Sequence, residues 1–313
     1  MSNRALVRCV AVLICAAAIP ASVSARQTNE PAPQAQAKAT RSGHVPVNGV
    51  SYYYEVRGKG MPLLLLHGGL GHMGMFDPIM PALSEHHEVI AIDLEGHGRS
   101  TLSKRDMDFR VWGDDMAAVV EQLGYRQIDV LGYSLGGGVA FRFAAQHPQL
   151  VRKLVIVSFG FAQQQFFPEM LPQQGALSAA MAAQMQDTPM YKSYVAVAPD
   201  PREFPRLLDG LGKLMRTPYN WSNDVPKLTM PVMLVYGDSD MIRPEHMIAF
   251  YRMLGGGLRD AGWQREHMSR NRLAILPDVT HYEMFFSPRL PQTVLPFLDG
   301  TGAAKSWSDN VGS

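Results

Sequence analysis

One serine of this chain lies in a sequence context that is typical of a nucleophile. Ser134 is the central residue of 132–136 (Gly-Tyr-Ser-Leu-Gly), which follows an apolar run at 127–131 and precedes a helical stretch. A glycine two positions to either side leaves room for a sharp strand-to-helix turn that exposes the hydroxyl above a sheet. The N-terminus of the following helix favours negative charge that develops there. The segment therefore predicts a nucleophilic serine.

A serine hydroxyl becomes a useful nucleophile when a base accepts its proton and a third group orients that base. His281 follows the last apolar run of the chain, and Asp240 follows the run at 232–236. The carboxyl ends of parallel strands meet at one edge of a sheet, so both side chains are expected beside Ser134. The order Ser, Asp, His along the chain agrees with a nucleophile on such a turn. These residues predict a Ser-His-Asp triad, with Asp238 as the alternative carboxylate.

The elements that position these residues are predicted by hydrophobic patterning. Short apolar runs alternate with amphipathic helical stretches, which predicts an α/β fold with a mostly parallel sheet and helices on both faces. The expected strands cover 50–56, 63–66, 88–93, 127–131, 154–158, 232–236 and 273–276. Residues 44–159 and 229–300 form the predicted α/β core.

Residues 160–228 interrupt this alternation. The segment is rich in proline, methionine and phenylalanine, contains no clear buried strand, and is too long for an ordinary connection between a strand and a helix. We predict an inserted lid of short helices. Its apolar side chains indicate a substrate with an apolar acyl or aromatic group.

These features together resemble the α/β-hydrolase superfamily, and in particular its lidded, esterase-like members, over about residues 44–299. Besides the serine turn, the resemblance rests on 67–71 (His-Gly-Gly-Leu-Gly), 93–100 (Asp-Leu-Glu-Gly-His-Gly-Arg-Ser) and 237–240 (Gly-Asp-Ser-Asp). It implies the α/β-hydrolase fold. It also assigns the triad acid to the fourth position of Gly-x-x-Asp, which is Asp240.

The resemblance further implies an oxyanion hole made of backbone N–H groups. The matching donors are those of Leu135 and Gly69, with Leu70 in place of Gly69 if the turn is shifted by one residue. The implied activity is hydrolysis of a small-molecule carboxylic ester through an acyl-enzyme, without a cofactor.

Other enzymes of the same fold use either a different nucleophile or the same serine for another reaction. Haloalkane dehalogenases and epoxide hydrolases place an aspartate where this chain has Ser134, which disfavours both. Amide or peptide cleavage, lactone opening, carbon–carbon bond hydrolysis and perhydrolysis keep the serine and stay open. The alternative to an enzyme is a member of the fold that binds a ligand without catalysing a reaction.

The N-terminus predicts export. Arg4 and Arg8 precede an apolar run at 9–19, and Val-Ser-Ala at 23–25 supplies small residues for cleavage, so residues 1–25 match a secretory signal peptide. The run is too short for a membrane span. Residues 26–43 are expected to form a flexible leader. We therefore predict a periplasmic or secreted protein.

Composition excludes several functional classes. The 313 residues contain 29 Lys+Arg against 28 Asp+Glu and no basic block, which argues against nucleic-acid binding. The only two cysteines, Cys9 and Cys15, lie within the predicted signal peptide, so a disulfide framework or a cysteine–zinc site is not expected. The histidines show no metal-ligand spacing. A sizeable core is expected, because 46% of the residues are apolar.

Overall fold

The computed structural model describes residues 39–301 and Ser306. The predicted signal peptide at 1–25 lies outside these residues, as does most of the predicted leader at 26–43. Residues 41–43 are described, and they belong to the first strand rather than to a leader.

Eight strands form one mixed sheet in the order β1-β2-β4-β3-β5-β6-β7-β8. The strands from β3 to β8 run parallel, and β2 is antiparallel to both β1 and β4. This agrees with the predicted mostly parallel sheet. The strands are β1 (Arg41–Val47), β2 (Val50–Arg57), β3 (Met61–Leu66), β4 (His87–Ile92), β5 (Ile128–Tyr133), β6 (Val151–Val157), β7 (Val232–Ser239) and β8 (Arg272–Thr280).

Nine α-helices and several 3-10 turns connect and cover the strands in the described residues. The α-helices are α1 (Met80–His86), α2 (Phe109–Gln122), α3 (Leu135–Gln146), α4 (Met170–Gly175), α5 (Ala182–Met185), α6 (Pro189–Val197), α7 (Phe204–Arg216), α8 (Pro244–Met253) and α9 (Arg289–Asp299). The 3-10 turns are Met73–Phe76, Pro148–Leu150, Gln163–Gln165, Ala179–Met181, Pro201–Glu203, Ser222–Lys227 and Met284–Phe286. None of the described helices has the length and hydrophobicity that a membrane span requires.

Strand β1 was not expected from the sequence pattern. It pairs with β2 along its whole length, from Arg41 opposite Val56 to Val47 opposite Val50. The turn between them is Asn48-Gly49, and both residues have positive φ, 48° and 84°. Asn-Gly is the preferred pair for a two-residue hairpin turn of this kind. That dipeptide is the signal that identifies the hairpin in the sequence.

The core consists of two apolar layers, one on each face of the sheet. In β3, Leu64 and Leu66 pack into one layer with α2 and α3, whereas Leu63 and Leu65 pack into the other with α1 and α9. Successive side chains of a strand point to opposite faces. An unbroken run of leucines is therefore the pattern of a strand covered on both sides, as expected for this position.

Residues 160–228 contain helices α4 to α7 and no strand of the sheet among their described residues. Two isolated bridges tie the segment to itself and to the core, between Ala162 and Asn220 and between Phe166 and Ile242. Its helical content agrees with the sequence expectation, and its function as a lid stays a prediction.

Candidate active site

Ser134 lies at the turn between β5 and α3 in a strained backbone conformation. Its φ is 52° and its ψ is −121°, which few residues other than glycine adopt. A Cβ atom at Gly132 would lie 2.2 Å from the carbonyl oxygen of Gly136, and one at Gly136 would lie 2.4 Å from that of Leu66. Both glycines are therefore required, because a larger residue at either position would push the turn apart.

The structure brings the three predicted triad residues into one hydrogen-bonded line. The Nε2 atom of His281 lies 2.9 Å from the Oγ atom of Ser134, and its Nδ1 atom lies 2.9 Å from Oδ1 of Asp240. Asp238, the alternative carboxylate, is exposed and accepts from the backbone N–H of Asp278 at 3.1 Å. The geometry thus selects Asp240 as the partner of the imidazole.

The carboxylate of Asp240 is buried yet held in its ionised form. Burial would raise its pKa, but His281 and two hydrogen-bond donors together lower that pKa below the ordinary value. The donors are the hydroxyl of Ser158 at 2.5 Å and the backbone N–H of Gly237 at 3.2 Å. An ionised Asp240 keeps the imidazole proton on Nδ1. Nε2 is then free to accept the proton of Ser134.

The loop at 67–71 is fixed beside the serine turn by a buried histidine. His67 donates from Nδ1 to the carbonyl oxygen of Gly68 at 2.7 Å and accepts at Nε2 from the N–H of Leu94 at 2.9 Å. Burial lowers its pKa to about 3, so the ring is neutral. The N–H of Gly136 donates to the carbonyl oxygen of His67 at 3.0 Å and ties the loop to α3.

Three backbone N–H groups at this place match the expected oxyanion donors. Those of Gly69, Leu70 and Leu135 donate to no protein acceptor in the part of the chain that the structure describes, and all three residues line the same cavity as Ser134. Leu135 is the first residue of α3, so its N–H has no partner within the helix. The roles of Leu135 and Gly69, and the alternative of Leu70, stay predictions.

A cavity of about 580 Å³ opens above the serine hydroxyl. Its walls come from the 67–71 loop, the helical segment at 160–228 and the stretch that follows His281. Most lining side chains are apolar: Leu70, Met75, Phe109, Leu135, Phe159, Phe166, Leu177, Pro189, Met190, Leu211, Leu214, Met215, Met241, Phe285 and Phe286. The described residues contain no group of three or more histidine, cysteine or carboxylate side chains that would hold a metal ion.

Two residues of the site were not identified from the sequence. Ser158 follows β6 and donates to Asp240, and the hydroxyl of Tyr133 donates to the backbone carbonyl oxygen of His281 at 2.6 Å. Both lie at or just beyond the carboxyl end of a strand in the same sheet. Their position at the carboxyl end of a predicted strand is the one sequence feature that could have indicated these two residues.

Known proteins resemble this chain in sequence and in fold. A family described as having the α/β-hydrolase fold matches residues 61–187, which include β3 and the serine turn. An esterase from Thermogutta terrifontis has a similar structure, with a TM-score of 0.63 and 20% identity over 84% of this chain and 99% of that one. The chain has the α/β-hydrolase fold.

Proteins that are similar in sequence carry different activities in their names. A soluble epoxide hydrolase from a Corynebacterium strain is 39% identical over 111 residues, which cover 36% of this chain and 39% of that protein. The chain thus matches well under half of that relative. A pimeloyl-[acyl-carrier protein] methyl ester esterase from Nitrosomonas europaea is 26% identical over 74% of this chain and 92% of that protein.

Proposed function

We propose that this protein is a serine hydrolase that cleaves carboxylic esters. The observation that carries the proposal is the continuous hydrogen-bonded path from Ser134 through His281 to Asp240. The Oγ atom of Ser134 attacks the ester carbonyl carbon while Nε2 of His281 takes its proton. The imidazolium then gives this proton to the departing alkoxide as the ester C–O bond breaks. Water, deprotonated by the same imidazole, releases the acyl group and restores the serine.

Negative charge develops on the carbonyl oxygen during the attack. We assign its stabilisation to the N–H groups of Leu135 and Gly69, with Leu70 as the alternative to Gly69. Their lack of protein acceptors within the described residues supports this assignment. Donors of this kind typically contribute about 3 kcal/mol each to stabilising a transition state.

Ester hydrolysis is favoured over epoxide opening by the nucleophile. Epoxide hydrolases of this fold use an aspartate nucleophile at this position, whereas this chain has Ser134. The esterase from Nitrosomonas europaea matches over most of its length, which supports an ester substrate. The apolar walls of the cavity support an apolar acyl or aromatic group in that substrate.

We also propose that the protein is exported. This proposal is supported by the signal-peptide pattern at residues 1–25, which lie outside the described residues.

The proposed activity is tested on the chain from residue 26 onward with p-nitrophenyl esters of short and medium acyl length. Ser134→Ala is expected to lower kcat/KM by about 10⁴-fold, because the variant loses the nucleophile. Matching thermal unfolding of the two proteins controls for folding. Equal activity in both proteins would exclude Ser134 as the nucleophile. Activity on amides, lactones or carbon–carbon bonds but on no ester would overturn the ester class, and tight ligand binding without turnover would overturn catalysis.

A further inference from the structure

Apart from the imidazole of His281, the described lining of the cavity above Ser134 contains no side chain that could neutralise an anion. Among its described lining residues there is no lysine or arginine, and the only carboxylate is that of Glu283. Glu283 is held in place by Thr280, whose N–H donates to its Oε1 atom at 2.6 Å and whose hydroxyl donates to Oε2. The ionised carboxylate of Asp240 lies directly behind His281. The fixed charges of the described lining and of the residue directly behind His281 are therefore negative.

The remaining polar groups of the cavity are amides and hydroxyls. Gln163 is already engaged, because its Nε2 atom donates to the carbonyl oxygen of Met215 at 3.0 Å. Gln173 and Gln174 of α4 are half-buried in the wall, and their side-chain amides have no hydrogen-bond partner among the described residues. Such amides can bind a neutral polar group, but they carry no charge that would offset a buried carboxylate.

A carboxylate that leaves water for this cavity would lose its hydration without gaining a cation. Charges are buried in proteins only when they are paired, because the cost of desolvation is otherwise not recovered. The carboxylates of Glu283 and Asp240 add repulsion of the same sign. An uncharged acyl chain incurs neither this desolvation cost nor this repulsion.

We propose that the site accepts esters with an uncharged acyl chain and rejects esters whose acyl chain ends in a carboxylate. This inference rests on the proposed ester hydrolysis, and it narrows the substrate class. Neutral amide-terminated chains remain acceptable, since Gln173 and Gln174 can hydrogen-bond to them.

Three ethyl esters of equal chain length test the inference. Ethyl hexanoate, its carboxamide-terminated analogue and monoethyl adipate differ only in their last group: methyl, amide or carboxylate. Ethanol release is measured at pH 7.5, where the carboxylate is ionised. We expect kcat/KM for the carboxylate ester to lie about 100-fold or more below that of ethyl hexanoate, and the amide ester to lie within about tenfold of it.

Two outcomes would overturn the inference. The first is a kcat/KM for the carboxylate ester within tenfold of that for ethyl hexanoate. The second is a kcat/KM for the amide ester as low as that for the carboxylate ester, since the site would then reject polarity rather than charge. Failure of the proposed function looks different. In that case no ester is turned over, or turnover persists in Ser134→Ala.

Two substitutions of Gln174 separate the effect of an added charge from the effect of replacing the side chain. Gln174→Arg places a cation in the wall, whereas Gln174→Met changes the side chain without adding charge. We expect the ratio of kcat/KM for the carboxylate ester to that for ethyl hexanoate to rise about tenfold in Gln174→Arg and to stay unchanged in Gln174→Met. Each ratio comes from one preparation, so differences in folded fraction cancel. An unchanged ratio in Gln174→Arg would show that missing positive charge is not the cause.

Discussion

The hydroxyl of Ser158 donates a 2.5 Å hydrogen bond to the carboxylate of Asp240, across the ends of two neighbouring strands. Ser158 also has a φ of 54°, which is unfavourable for a residue with a side chain. The contact helps to lower the pKa of Asp240, after the larger contribution of His281. Ser158 is therefore a positioning residue in the proposed mechanism: it touches the acid and not the reacting atoms.

Ser158→Ala is expected to lower kcat/KM about tenfold, because a hydrogen bond to a charged group is lost. The loss should fall on kcat rather than on KM, because Ser158 contacts Asp240 and is not among the residues that line the cavity. Ser158→Gly is the matched control, since it loses the same hydroxyl but fits the positive φ. Equal losses of kcat in both variants would assign the effect to the hydrogen bond. A loss in the alanine variant alone would assign it to backbone strain and refute the prediction.

The two aspartates near the end of β7 should differ sharply in their effect on activity. Asp240→Asn is expected to lower kcat by about 10⁴-fold, because an amide stabilises the wrong tautomer of His281. Asp238→Asn should change kcat less than about threefold, since Asp238 is exposed and bonded to Asp278. Steady-state kinetics on one ester decides between them. A larger loss in the Asp238 variant would contradict the assignment of the acid.

Two buried histidines should make the fold sensitive to acid. Burial lowers the pKa of His67 and of His97 from 6.5 to about 3. Between these two pH values the unfolded chain binds protons that the folded chain does not. The free energy of unfolding therefore falls as the pH drops from 6.5 toward 3, by at most about 1.4 kcal/mol per pH unit for each histidine.

His97→Gln should reduce this dependence on pH, as measured by urea unfolding at several pH values from 7 to 4. The Nδ1 atom of His97 lies 2.9 Å from the carbonyl oxygen of Glu95, and its Nε2 atom has no partner among the described groups. The slope of stability against pH is the readout, so a uniform loss of stability does not affect the result. His86→Gln is the control, because His86 is exposed. An equal slope in the His97 variant and in the unsubstituted protein would refute the prediction.

A buried ion cluster should contribute strongly to stability. Arg105 donates to Glu95 at 2.7 Å and also to Asp115, and both carboxylates are fully buried. Arg105→Met would leave two buried negative charges without a cation, at an expected cost of about 3–5 kcal/mol in the free energy of unfolding. Arg202→Met removes an exposed pair with Asp200 and should leave the urea midpoint nearly unchanged. Similar urea midpoints for the two variants would contradict this view of the cluster.

The elements of the site that were predicted from the sequence are those with a local pattern. The run from Leu63 to Leu66 indicates a strand buried on both faces, and the glycines around Ser134 indicate a sharp turn. The hairpin at Asn48-Gly49 has an equally local signal, although the hydrophobic pattern predicts 50–56 as the first strand. Local patterns succeed here because backbone sterics act over a few residues.

Contacts between distant strand ends were not predictable in the same way. Many hydroxyl residues follow strands, and nothing in the neighbours of Ser158 indicates that it meets Asp240. The lining of the cavity by Gln174 and Glu283 likewise depends on how the 160–228 helices pack over the sheet. These relationships arise only when segments far apart in the chain are brought together.

The sequence by itself determined the α/β-hydrolase fold and the grouping of Ser134 and His281 with a carboxylate near the end of β7. It did so because parallel strands end at one edge and because the residue types at those ends are few. Only the tertiary structure decided that Asp240 rather than Asp238 faces His281 and that Ser158 supports it. It also decided that the described cavity lining holds Glu283 and neither lysine nor arginine. Side-chain direction within a loop, and the packing of inserted helices, depend on contacts that no local pattern records.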